Sequence, residues 1–484
     1  MKRTVFLIAA LLTAALMLSS CERYEPVALS STEELEAETH AATEPESTEA
    51  PEETEPVETE PPAPEDNRIR TAAKGIYLAY APVNNESFMD EIIKVMDETE
   101  LNAVVIDVKD DYGRITYDMQ GVPLVDELGA SSGAIEDLPG VISELRAHGI
   151  YCIARIVALK DPFIAEAKPE WALYKGDGSI FRDNAGDAWV NPYKTEYWDY
   201  LLDVSKAAGE IGFDEIQFDY IRFCTERGVN EVVYDEADTL GRDKISIITE
   251  LVNYLSEGLK KEGLFVSCDV FGTIIGSSID ANSVGQSYTQ MADALDYICP
   301  MIYPSHYSTG NFGLEHPDTQ PYETILGALS LSERELSRSY IEGSNQAVVR
   351  PWLQAFTASY LGSGNYMVYD ASAIRAQIQA VYDAGYDEWI LWDAAVDYDY
   401  SAFLSEADAA AEQAAIAESR AIQEEQERFE AELEEETFPE ELENALNGDQ
   451  LYESDAAILS QDGPIVTYED GGMETQAQES TAQP

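Results

Sequence analysis

Positive charge is scarce in this chain. Lys and Arg number 29 against 93 Asp and Glu, a formal net charge of −64 over 484 residues. Nucleic-acid binding needs a basic footprint, so that class is disfavoured. Histidine is scarcer still. His40, His148, His306 and His316 include no close-spaced pair, which argues against a catalytic zinc site and against a zinc-dependent hydrolase or deacetylase. A carboxylate-bound Ca2+ or Mg2+ stays open; no metal ligands and no cofactor are assigned. Beyond Cys21 the cysteines are Cys152, Cys224, Cys268 and Cys299, too widely spaced for a zinc site or a disulfide scaffold. They are expected to be small buried hydrophobes, with room for one disulfide between neighbouring strand ends in an extracellular setting. No glycine-rich phosphate loop follows the first β-like run, which weighs against a doubly wound nucleotide-binding sheet.

Long apolar runs are also missing. The longest near the N-terminus, residues 5–18, is short for a membrane span. Preceded by Lys2-Arg3 and ending in Leu18-Ser19-Ser20-Cys21, it has the build of a secretion signal with a lipobox. The expectation is cleavage after residue 20, lipid on Cys21, and attachment to the outer face of a cell membrane as a bacterial lipoprotein. A plain signal peptide with a chance cysteine is the alternative. Residues 21–70 repeat Thr-Glu-Pro, as at Thr43-Glu44-Pro45 and Thr54-Glu55-Pro56, and offer little to bury. A disordered, charge-extended tether follows.

From Lys74 the texture changes. Apolar, β-rich runs cover 75–80, 103–109, 151–159, 215–223, 265–272, 297–303, 349–356 and 388–393. Helix-length amphipathic segments at 88–98, 135–148, 196–208, 244–261, 287–295, 322–335 and 371–384 separate them. Strands apolar on both faces, alternating with helices eight times, predict a parallel sheet covered by helices. The fold class is α/β, a (β/α)8 barrel over residues 71–402. An acidic helix is expected over 403–436 and a disordered acidic tail over 437–484.

In such a barrel the working face is at the C-terminal ends of the strands. The polar residues expected there are Asp107, Lys109 and Asp110; Arg155, Lys160 and Asp161; Gln217, Asp219 and Arg222; Asp269; Tyr303 and His306; Trp352 and Gln354; Trp392 and Asp393. Side chains two apart share a face, so Asp107 with Lys109, Gln217 with Asp219, and Trp352 with Gln354 are expected to point alike. An ionised Asp among apolar neighbours is costly unless paired, and a polar cleft supplies a reason for several. Asp219 and Asp269, one βα unit apart, form the pair that glycosidic cleavage requires. Arg155 and Lys109 can keep one carboxylate ionised, while an apolar setting keeps the other protonated. Each residue also has a plain structural role open to it: Asp as a helix cap, Arg222 as an ion-pair partner, Trp352 and Trp392 as core, His306 as a loop residue.

These segments resemble a known family. Lys74-Gly75-Ile76-Tyr77, the stretch Ala103 to Asp110, Gln217-Phe218-Asp219-Tyr220-Ile221-Arg222-Phe223, Asp269-Val270-Phe271-Gly272, the stretch Pro300 to Tyr307 and Arg350-Pro351-Trp352-Leu353-Gln354 are similar to the "putative glycosyl hydrolase domain" of bacterial secreted proteins and lipoproteins. The resemblance spans about residues 74–400. It implies a TIM barrel distantly similar to the alpha-amylase clan, whose nucleophile is an Asp ending strand 4 and whose acid/base is a Glu ending strand 5. Asp219 matches the first position. Asp269 falls at the second, one methylene shorter.

The expected function is a lipid-anchored extracellular glycoside hydrolase acting on a polysaccharide of the envelope or an exopolysaccharide. Asp219 and Asp269 are its expected catalytic pair. Asp107, Lys109, Arg155, Gln217, Arg222, Tyr303, His306, Trp352, Gln354 and Trp392 are its expected substrate contacts. The competing reading is a non-catalytic surface receptor that binds carbohydrate in the same cleft.

Overall fold

The computed structural model describes residues 66–341 and 344–437. The expected signal segment, lipidated Cys21, most of the tether and nearly all of the acidic tail lie outside the described residues.

Eight parallel strands close on themselves. They are β1 (Lys74–Leu78), β2 (Ala103–Lys109), β3 (Tyr151–Val157), β4 (Glu215–Asp219), β5 (Phe265–Phe271), β6 (Tyr297–Ile302), β7 (Val348–Val349 and Trp352–Gln354) and β8 (Trp389–Trp392). Each pairs with the next, and β8 pairs with β1 through Lys74 opposite Trp389. The seventh strand is in two pieces because Pro351, which has no N–H to give, interrupts it; both pieces still pair with β6. Strands β2 and β3 are buried at every residue, as a barrel wall with helices outside requires.

The outer ring contains α1 (Glu86–Glu98), α2 (Leu138–Ala147), α3 (Glu196–Glu210), α4 (Lys244–Lys260), α5 (Tyr288–Ala294), α6 (Pro321–Ser339) and α7 (Ala371–Asp383). Their starts are written locally. Asn85, Asp137, Asp243 and Asp370 each accept a backbone N–H of the first helical turn. A further helix, α8 (Glu406–Thr437), follows the barrel. Among the described residues no helix is long and apolar enough to cross a membrane.

Local chemistry trims several expected elements. Strand β4 was expected to run to residue 223 but stops at Asp219, because Tyr220 adopts a left-handed backbone with φ of 49°. Strand β1 ends at Leu78, and Tyr80 opens a single helical turn. Residues 66–70, grouped with the tether by composition, lie against the barrel. Arg68 makes an ion pair with Asp296 at 2.7 Å and covers the Phe265 ring. Cys152, Cys224, Cys268 and Cys299 are all buried free thiols.

The barrel interior is polar at both ends. Near its N-terminal end, Arg350 donates to Glu215 at 2.9 Å and to Glu388 at 2.7 Å. Tyr151 and Ser267 donate to the same Glu215 carboxylate.

Candidate active site

The last inward-facing residues of β1 to β5, β7 and β8 converge at the C-terminal mouth. Arg155 is the hub. Its Nη1 donates to Asp107 Oδ1 at 2.7 Å, and its Nε and Nη2 donate to Asp219 Oδ2 at 3.0 and 2.5 Å. A rigid guanidinium suits this task, since one planar fork serves two carboxylates on neighbouring strands. Asp111, half-open at the rim, approaches the same Nη1 at 3.4 Å. Asp107 also accepts the Tyr77 hydroxyl at 2.5 Å. Burial pushes the Asp107 carboxyl above its ordinary value, against the pull of Arg155.

Asp219 is steered by its own backbone as well. The left-handed turn at Tyr220 brings that residue's N–H back onto Asp219 Oδ1 at 2.6 Å. A bulky residue in this conformation is strained, and such strain concentrates where a side chain must be aimed.

Asp269 lives in different surroundings. It is 2% exposed, and among the described residues its one side-chain partner is the indole N–H of Trp352, at 2.6 Å. Burial, and then the neighbouring charge of Asp219, hold its carboxyl well above the usual carboxylate range. The two carboxylates therefore sit in opposed environments: Asp219 in an ion pair, Asp269 buried on an indole N–H beside the Asp219 charge, which favours the protonated acid. Such a split equips one group to give a proton and the other to meet positive charge.

Aromatic rings make the floor and sides. Trp392 is partly open. It packs on Tyr77 with centroids 4.3 Å apart and against Trp352 at 5.6 Å, and Arg155 lies 5.4 Å from its ring centre. The Tyr303 phenol is held well above its ordinary value by burial and by the charges of Asp269 and Asp219. The exposed His306 ring stands edge-on to Tyr303 at 5.1 Å. Arg222 is buried among Trp189, Tyr220 and Phe271 and donates to the Phe223 carbonyl.

Of the residues picked from sequence, Asp107, Arg155, Asp219, Asp269, Trp352 and Trp392 are thus brought together, with Tyr303 close by. Three are placed otherwise. Lys109 was expected beside Asp107, but a register shift between them in the β2–β3 ladder breaks the alternation. Its ammonium is fully buried, 2.9 Å from Asp161 and donating to the Val157 carbonyl. Gln217 lies below the mouth, inside the barrel, with its amide against Cys299 Sγ. Gln354 is buried with both ends of its amide occupied, by the Ser305 N–H, Asp318 and the Phe356 carbonyl, so it fastens loops together. Asp110 and Asp161 hold turns and caps, and Asp393 accepts the backbone N–H groups of Ala395 and Asp397. Sequence reasoning missed Tyr77 and Asp111. A tyrosine inside an apolar strand reads as core, and only strand parity with Gly75 could have marked it as inward. Among the described residues no group of three or more His, Cys, Asp or Glu is arranged to hold a metal ion.

Residues 75–398 match the family described as a putative glycosyl hydrolase domain. The chain belongs to that family. The family assigns it to the glycoside hydrolases, and the barrel agrees with the fold expected from its sequence. Among solved structures, a hypothetical protein from Ruminiclostridium thermocellum is 35% identical with a TM-score of 0.37, covering 40% of this chain and 97% of its own. The PgaB (BpsB) glycoside hydrolase domain from Bordetella bronchiseptica is 11% identical with a TM-score of 0.48, covering 71% and 98%. An alpha-galactosidase from Thermus thermophilus is 12% identical with a TM-score of 0.41, covering 72% and 63%. A search of curated proteins finds no match.

Proposed function

We propose that this protein is a lipid-anchored, extracellular glycoside hydrolase that cleaves an envelope polysaccharide or exopolysaccharide with two carboxylic groups. The observation that carries the mechanism is the contrast between Asp269, buried and bonded to one indole N–H, and Asp219, held in an ion pair by Arg155. Asp269 gives its proton to the glycosidic oxygen as the bond from that oxygen to the anomeric carbon breaks. Asp219 meets the positive charge that develops on the sugar, either by bonding to the anomeric carbon or by stabilising it while water attacks. Asp269, now a carboxylate, can take the proton of the incoming water on a retaining path. Tyr303, His306 and Trp392 offer surfaces for the sugar ring, and Trp352 aims the acid.

The lipid anchor rests on Leu18-Ser19-Ser20-Cys21 and on the acidic Thr-Glu-Pro stretch that follows it. An enzyme tied to the outer membrane face meets surface glycans first, which supports a polysaccharide substrate.

The test is an assay of new reducing ends on a panel of envelope and exopolysaccharide preparations, with Asp219→Asn and Asp269→Asn as controls. Release by the parent and loss in both variants is the expected result. Binding without release, equal in parent and variants, would make the protein a carbohydrate receptor instead. Proton NMR of the first product formed assigns a retaining or inverting course.

A further inference from the structure

The mouth of the barrel is not uniform around its rim. Following β3 and β4 it is walled. Segment 161–190 and the segment after β4 are joined by a small antiparallel ribbon of Tyr174–Lys175 with Val232–Val233. Lys160 and Asp187 add an ion pair at 3.6 Å. The opposite arc, formed by the neighbouring strands β7, β8, β1 and β2, carries exposed tyrosines. Tyr80 follows β1, Tyr112 follows β2 and Tyr360 follows β7, exposed by 38%, 65% and 65%. Between their strands lies β8, which contributes the partly open Trp392.

A single exposed aromatic is ordinary. Three on the same end of four consecutive strands ring the mouth that Trp392 lines from β8. Each also stands on a short ordered turn. Tyr80 opens a single helical turn, Tyr112 lies in a turn held by Asp110, and Tyr360 is central to the 3-10 turn Ser359–Leu361. The residue before Tyr112, Asp111, reaches Arg155, which ties that rim position directly to the carboxylate cluster. Flat amphipathic rings held at low conformational cost are suited to the apolar faces of pyranose rings, with hydroxyls left for the sugar's polar edge.

We infer that this arc is a set of outer subsites, so that the ligand is a chain of several pyranose units laid from the Asp219–Asp269 pair across Trp392 towards Tyr80, Tyr112 and Tyr360, and not a single sugar on a small leaving group. This rests on the glycosidase reading for the location of the site, and extends it to the length of the substrate.

The experiment separates the two. Binding is measured by calorimetry with the full chain carrying Asp269→Asn, so that no turnover is needed. The probes are size ladders, from disaccharide upward, of β-1,4-glucan, β-1,4-linked N-acetylglucosamine and β-1,6-linked glucosamine. Affinity is expected to climb with length on at least one ladder. In Y80A/Y112A/Y360A the climb flattens, with a loss of about tenfold or more at the longest oligomer. Y80F/Y112F/Y360F, which keeps the rings, retains the climb. Affinity independent of length, no affinity for any ladder, or a climb that survives in the triple alanine variant would overturn the inference. Length-dependent binding by a parent that releases no reducing ends would leave the subsites standing and remove the glycosidase. Hydrolysis with flat affinity would do the reverse.

Discussion

The indole N–H of Trp352, on β7, donates to Oδ1 of Asp269, on β5, at 2.6 Å across the barrel interior. That bond favours the charged form of a carboxyl whose burial favours the neutral one. Replacing Trp352 by Phe keeps most of the ring and removes the donor. The Asp269 pKa should rise further, moving the alkaline limb of the kcat/KM profile to higher pH. Loss of the aiming hydrogen bond should lower kcat by about ten- to a hundredfold, since one such bond is worth about 1.5–3 kcal/mol to a charged group. A pH–rate profile of the variant beside the parent reads both effects.

The same burial makes Asp269 a pH-dependent liability for stability. Its folded pKa is raised above the unfolded value, so the folded state holds the proton more tightly. Stability from this group is complete below the unfolded carboxylate range and falls as pH rises through it towards the folded pKa. Asp269→Asn mimics the protonated acid and can still accept from Trp352. It should melt higher than the parent at neutral pH, by on the order of a few °C, with the gap closing in acid. Thermal melts across pH would sink the idea if the gap were constant or reversed.

Arg155 holds two carboxylates at once, Asp107 and Asp219. Arg155→Met leaves both without their partner. Activity should fall by at least about a hundredfold, and stability by about 3–5 kcal/mol, the usual cost of stranding a buried charge. Arg155→Lys should recover little, because a single ammonium cannot reproduce the fork. Urea unfolding and initial rates on the same preparations give the two numbers.

Lys109 distinguishes a structural cation from a substrate contact. Its partner is Asp161, which also accepts the Tyr197 hydroxyl on α3. Lys109→Met should destabilise by about 3–5 kcal/mol, while KM of the folded fraction stays within about twofold of the parent by the logic of uniform binding. A KM rise of tenfold with unchanged stability would return Lys109 to the substrate site.

Gly272 follows β5, two residues beyond Val270, and tests how tightly the mouth is packed. A Cβ there would overlap the Tyr307 hydroxyl and come within 2.7 Å of the Met301 carbonyl. The second contact is backbone and cannot swing away. Gly272→Ala should cost about 1–3 kcal/mol and lower kcat by displacing the Asp269 strand, measurable by the same melts and rates.

The barrel was legible in the chain because its cause is local and repeated. Runs apolar on both faces, separated by capped amphipathic helices, leave few ways to bury eight strands. Asp219 and Asp269 were legible for a related reason: an acid inside a buried strand is conspicuous, and strand ends define the working face. Lys109, Gln354 and Tyr77 were not. Strict alternation put Lys109 beside Asp107, and the register shift that redirects it depends on how β2 meets β3. Gln354 looked available until loops distant in sequence filled both ends of its amide. Tyr77 became a polar partner only because closure of the barrel set it against Asp107 and Trp392.

Sequence by itself thus determined the order of strands and helices, the ends of the helices, and which two acids lie one βα unit apart at the same face. Periodicity and capping act over a few residues, and a linear chain carries them. Tertiary structure decided which acid is paired and which is isolated. Ion pairs, indole hydrogen bonds and desolvation act through space, between Arg155 and Asp219 or Trp352 and Asp269, across 64 and 83 positions of the chain.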